Sequence, residues 1–129
     1  MKKPKTMKGR KNIMTLLDIL FSEIVRKRDI NETCITCGLE FKGRRELVTC
    51  GHFRKRRHLA TRWNLKNAYG QCMECNSRDD ENLFAECLAN KIGQDRVDEI
   101  VAFSRIDMHY TISDLQHIYD ELNKYYKQL

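Results

Sequence analysis

Apolar residues recur at helical spacing towards both ends of the chain, and the middle breaks that rhythm with glycines and cysteines. Ile13, Leu16, Leu17, Leu20, Ile24 and Val25 share one helical stripe. With Asn12 as N-cap and Arg26, Lys27 and Arg28 as last-turn cations, the pattern predicts a core helix over 12–29. Glu46–Cys50 reads as a strand, as does, more weakly, the segment from Leu59 to Asn64. From Asp80 the helical period returns. Leu83, Phe84, Cys87, Leu88 and Ile92 form a stripe that Gly93 would stop. Val97, Ile100, Val101 and Phe103 mark a second helix over 94–106. A third begins near Ser113, where Ser113-Asp-Leu-Gln116 has the form of a capping box, and continues through Leu115, Ile118, Tyr119, Leu122, Tyr125 and Tyr126. That spacing is amphipathic, so the tyrosines read as a packing face rather than a base-stacking platform. The class predicted is α+β.

Two pairs of cysteines add chemistry to the middle. Cys34 and Cys37 are separated by two residues, as are Cys72 and Cys75. That spacing lets two thiolates turn into one tetrahedral site, and two such knuckles complete it for a structural Zn²⁺. Gly38 would allow the knuckle turn. The 34 residues between the pairs exceed ordinary ribbon spacing, so a hairpin and loop must hang between them. The rival reading, a redox dithiol, wants a βαβ context that the pattern lacks. Cys50 and Cys87 are left over and read as buried, with Cys50 a spare ligand as the alternative.

Charge divides the 129 residues unequally. Residues 1–78 carry 19 Lys and Arg against 7 Asp and Glu, a net of +12, and residues 79–129 carry −6. A basic half of that size points to nucleic acid before an anionic membrane surface. Residues 1–11 hold six cations and read as a flexible basic arm, ordering on a phosphate backbone or simply solubilising. No membrane span is predicted, because Asp18 and Glu23 interrupt the most apolar stretch; the same acids spoil an export signal. Thiols in a reducing compartment favour metal over disulfides.

Between the knuckles the order of residues resembles the HNH, or His-Me finger, nucleases: a CxxC, a His closing a strand, a loop, an Asn before a second CxxC, and a polar residue opening the next helix. His52, Asn67 and Asn76 take those places, and an Asn in the last resembles the phage endonuclease VII resolvases. The segments CITCG at 34–38, GHF at 51–53, TRWNLKN at 61–67 and QCMECN at 71–76 are more similar still to the phage NinG/Rap recombination family, over about residues 34–101. The resemblance implies a zinc-stapled ββα-metal finger over 30–93, flanked by the helix at 12–29 and a helical extension at 94–129. It also implies a phage- or prophage-encoded nuclease, at work on branched DNA in the cytoplasm of a bacterial host.

The residues suit that chemistry. His52, with an ordinary pKa near ~6.5, is a candidate general base. Asn76 offers a neutral oxygen to a Mg²⁺ or Mn²⁺ that would polarise the scissile phosphate. Asn67 would hold the loop so that His52 faces water. Arg54, Lys55, Arg56, Arg57 and Arg62 would contact flanking phosphates. One departure stands out: most HNH enzymes place an acidic metal ligand directly before the His, and here that residue is Gly51. His58, Asp79 and Asp80 are the nearest replacements by sequence. A helix-capping role for the acids and a phosphate-facing one for His58 stay open. Gly51 also keeps alive a zinc-ribbon protein that binds DNA junctions without cutting them. A third possibility is an interaction protein that docks through its acidic helices. Two cuts per junction would suit a homodimer.

Overall fold

In a computed structural model, residues 9–129 are described. Most of the expected basic arm, residues 1–8, lies outside them. Helix α1 runs Arg10–Asp29. It starts two residues before the predicted Asn12 cap, with Gly9 at the N-cap in a positive-φ conformation (φ 77°) and no side-chain cap. The chain then passes the first knuckle to strand β1 (Thr49–His52), a one-turn helix α2 (Leu59–Arg62), strand β2 (Ala68–Gln71) and helix α3 (Met73–Arg78). Helices α4 (Glu81–Ile92), α5 (Gln94–Ser104) and α6 (Ile112–Gln128) follow.

β1 and β2 form an antiparallel pair that matches Thr49 with Gln71 and His52 with Ala68. The predicted strand at 46–50 is therefore displaced. Arg45–Leu47 make a 3₁₀ turn in which the Val48 amide donates to the Arg45 carbonyl, and an amide so engaged cannot join the ladder. The strand expected over 59–64 is instead α2. Helical spacing puts Leu59 and Trp63 together against the main core and lets the consecutive residues Ala60 and Thr61 both be buried, whereas a strand would turn one of that pair to the opposite face. The capping box of α6 is built by Thr111 and Asp114, not by Ser113: the Thr111 side chain accepts from the Asp114 amide at 3.0 Å, and the Asp114 carboxylate from the Thr111 amide at 2.9 Å.

Three apolar clusters hold these elements. The largest joins Ile13, Leu17, Leu20, Phe21, Ile24 and Val25 of α1 to Leu115, Tyr119 and Leu122 of α6, and takes in Trp63 and Ala68. The α6 tyrosines are thus a packing face, with Lys27 lying over the Tyr126 ring at 4.9 Å. A second cluster gathers Cys34, Phe41, Val48, Cys72 and Cys75 around the knuckles. The third packs Phe53 against Phe84, Leu88, Val97 and Ile100 of α4 and α5. The hairpin lies between the first and third clusters, so His52 at its end is reached from α1 on one side and from the α3–α4 turn on the other. No helix among the described residues is long and apolar enough to cross a membrane.

Candidate functional site

The four paired cysteines converge. Their sulfur atoms all lie within 4.8 Å of one another, and Cys37 Sγ and Cys72 Sγ are 3.8 Å apart. Tetrahedral Zn–S bonds of about 2.3 Å would place the sulfurs roughly 3.8 Å apart, so the cage matches zinc in ligand type and in size. Gly38, at φ +78°, makes the turn behind the first knuckle, its amide donating to the Cys34 carbonyl at 2.9 Å. Cys72 caps α3, its sulfur accepting from the Cys75 amide. Burial opposes ionisation of Cys34, yet amides of Cys37, Cys72 and Thr36 outweigh it and hold its thiol at about 7. Burial drives Cys75 well up, as do the neighbouring sulfurs.

His52 ends β1, stacked on Phe21 of α1 with ring centroids 5.3 Å apart. Its Nε2 lies 3.1 Å from the Arg62 carbonyl. A carbonyl only accepts, so Nε2 carries the proton and Nδ1 keeps the lone pair. Burial lowers the imidazole to about 4, against the pull of that hydrogen bond, so the ring is neutral at pH 7. Neutrality with a fixed tautomer is what a proton acceptor needs.

Asn67 is fully buried and ties both ends of the loop below His52. Its Oδ1 accepts from the Arg54 amide at 2.8 Å, and its Nδ2 donates to the carbonyls of Arg54 (3.0 Å) and Thr61 (3.1 Å). Asn76 lies within α3 rather than at its first residue. Its Nδ2 donates to Thr49 Oγ1 at 3.0 Å, and that hydroxyl has already given its own proton to the Gln71 carbonyl at 2.7 Å. The amide orientation is therefore chemically fixed, and Oδ1 is the atom left for a ligand.

His52 and Asn76 share an open cavity of about 230 Å³ with Gln71, Asp79 and Asp80, with Lys55 and Arg56 at its edge. The tertiary structure thus brings two of the three replacement candidates to the site. Asp79, in the left-handed region at φ 55°, pairs with Lys55; Asp80 caps α4 by accepting from the Leu83 amide at 3.0 Å. His58 stays away. It precedes α2 and lines a different cavity with Arg57, Ser104 and Arg105. Burial and then Arg54 and Arg57 hold it below the usual histidine range.

The five basic residues divide. Arg54 donates to Ser104 Oγ at 2.8 Å and to Glu81 at 2.7 Å, which ties α4 and α5 to the loop. Arg62 forks onto Asp18. Lys55 pairs with Asp79, while Arg56 and Arg57 are exposed. Cys50 is half-buried and lines the cavity, its thiol pushed up to about 12 by burial, so it remains a neutral wall. Asp18 and Phe21 went unrecognised as site residues. Their signal in the sequence was weak: an acid three residues before an aromatic, on a helix that also carries Glu23.

The family model described as "Bacteriophage Lambda NinG protein" matches residues 1–129. The chain is 32% identical over 109 residues to "Protein ninG" of Escherichia phage lambda, covering 81% of this chain and 51% of that protein. The chain therefore spans about half the length of the curated relative it matches. No solved structure matches it.

Proposed function

The chain belongs to the bacteriophage lambda NinG protein family, and from there we propose that it is a zinc-stapled His-Me finger endonuclease that cuts branched DNA during phage recombination. The observation that carries this reading is the housing of His52: a neutral imidazole with Nε2 fixed on the Arg62 carbonyl, in the same cavity as Asn76. The hairpin β1–β2 followed by α3 supplies the two strands and helix of such a finger, and the cysteine cage would staple it.

In this mechanism Nδ1 of His52 takes a proton from water as the water oxygen bonds to phosphorus. The P–O bond to the leaving sugar oxygen breaks, and solvent returns a proton to that oxygen. Asn67 keeps the loop, and so the imidazole, in place. The cavity's oxygen donors, Asn76 Oδ1 with the carboxylates of Asp79 and Asp80, suit a hard divalent cation. Bound there, Mg²⁺ or Mn²⁺ would neutralise charge developing on the phosphate. His58, in another cavity, takes no part. Arg56 and Lys55 at the edge would meet the phosphate backbone, with Arg57 further along the same loop. Resolving a junction takes two cuts, so the active form is a homodimer on such DNA.

The test is cleavage of four-way junction, D-loop and linear DNA by zinc-loaded protein with Mg²⁺ and with EDTA. His52→Ala should lose roughly 10²–10⁴-fold in rate. Equal cutting by wild type and His52→Ala would overturn the reading. A second reading, a junction binder without catalysis, is favoured by Gly51, and it predicts salt-sensitive binding with no metal-dependent turnover.

A further inference from the structure

Helix α1 lies before the first knuckle, yet it contributes half of the His52 housing. Asp18 points from α1 into the bend after α2. Its Oδ2 accepts from Arg62 Nη2 at 2.6 Å and its Oδ1 from Arg62 Nε at 3.1 Å. The same Oδ1 accepts from the Trp63 indole nitrogen at 3.0 Å. One carboxylate thus grips the side chains of two consecutive residues. The pair is shielded, with the two side chains 17% and 18% exposed. The carbonyl of Arg62 is the one that receives His52 Nε2. One turn further along α1, Phe21 closes the ring from the side.

We propose that Asp18 is the positioning residue of His52: by clamping Arg62 and Trp63 it fixes the backbone carbonyl that selects the Nε2–H tautomer. The physical need is local. A helix of four residues is too short to hold its own geometry, and Trp63 has already left the helical region at φ −116°, ψ 25°. The helix alone therefore does not dictate where the Arg62 carbonyl points; with Asn67 holding the preceding Thr61 carbonyl, the carboxylate on α1 fixes the residues on the other side. A charge-assisted fork plus a neutral donor is a directional restraint, unlike an exposed ion pair. The kinetic consequence rests on the nuclease reading above, but the tautomer does not.

The experiment is nitrogen-15 NMR of the histidine rings in the zinc-loaded full chain, with zinc content and helical circular dichroism as folding controls. In wild type, His52 should be almost wholly the Nε2–H form. In Asp18→Ala the Nδ1–H form should become substantial, and Asp18→Glu should restore part of the original preference. On branched DNA, Asp18→Ala should lower kcat by about 10- to 100-fold with little change in KM. A folded Asp18→Ala protein whose His52 keeps a single Nε2–H tautomer would overturn the proposal. Should that variant not fold, Arg62→Lys and Trp63→Phe each release one arm of the clamp; an unchanged tautomer in both overturns it equally. If the tautomer shifts while wild type cuts no DNA, the nuclease reading fails and the positioning role stands.

Discussion

Gly51 and Gln71 occupy one space. A β-carbon on Gly51 would lie 2.0 Å from Gln71 Oε1 and 2.6 Å from its Cδ, while the buried Gln71 is held by Nε2 donating to Thr36 Oγ1 at 2.8 Å. An acid before the histidine, as HNH-like sequences carry, would here have to displace the Gln71 side chain from its bond to Thr36. Gly51→Asp should destabilise the zinc-loaded protein by about 1–3 kcal/mol. Gln71→Ala made in the same chain should recover part of that loss, a coupling of about 1 kcal/mol or more. Urea unfolding of the two single variants and the double variant measures it; additive losses would refute the steric account.

The buried His52 makes stability depend on pH in a defined direction. Its folded pKa, about 4, lies below the unfolded value of 6.5. Above pH about 6.5 both states are neutral and its contribution is complete; between there and pH about 4 the unfolded state binds the proton first and the contribution drains away. The loss should reach about 2 kcal/mol by pH 5. The stability difference between wild type and His52→Gln, from urea unfolding at pH 7.5 and pH 5, should shrink by that amount. A pH-independent difference would contradict it.

The buried Asn67 side chain holds three backbone groups at once, the Arg54 amide and carbonyl and the buried Thr61 carbonyl. Asn67→Ala strands them and should cost about 3 kcal/mol or more. Asn67→Asp keeps the acceptor for the Arg54 amide but faces two carbonyls with no donor, so it should be at least as harmful. Thermal unfolding of the two variants checks both magnitude and order.

The cage should hold one zinc per chain. Cys72→Ser should abolish stoichiometric zinc in native mass spectra and unfold the cluster of Phe41 and Val48, because such sites supply on the order of 10 kcal/mol to folding. Cys87, half-buried on α4 with its thiol donating weakly to the Thr36 carbonyl, lies outside the cage, so Cys87→Ser should leave the zinc stoichiometry unchanged.

Arg56 and Arg54 should separate DNA binding from folding. Arg56 is exposed at the cavity edge, so Arg56→Ala should weaken binding to any DNA and lower the salt slope by about one. Arg54→Ala breaks the ties to Ser104 and Glu81 and should first lower thermal stability. Salt titrations of fluorescent junction DNA alongside melting curves distinguish the two.

Some of this was legible along the chain because it depends on local spacing. Two residues between thiolates announce a knuckle, a 3.6-residue period announces α1 and α4 to α6, and the family was readable from four short segments. These are properties of neighbours in sequence. Residues 59–64 misled because Leu59, Thr61 and Trp63 alternate as a strand would, while burial of Ala60 beside Thr61 favours one helical turn; that choice is made by the core of α1 and α6, not by the segment. Element boundaries failed likewise at Gly9 and Thr111, where competing caps lie within a few residues of each other.

The sequence alone determined the two cysteine knuckles that meet in one cage, the helical framework and His52 as a candidate, since each is written in short-range pattern. Only the tertiary structure decided which partners His52 would have. Asp18 is 44 residues from Arg62 along the chain, and the space beside Gly51 is filled from the opposite strand. His58 and Asp79, six residues after His52 and three after Asn76 along the chain, are sent to different cavities by a one-turn helix and a left-handed residue. Hydrogen bonds and steric contacts act over a few ångströms of space, and only the folded chain sets which residues come within that reach.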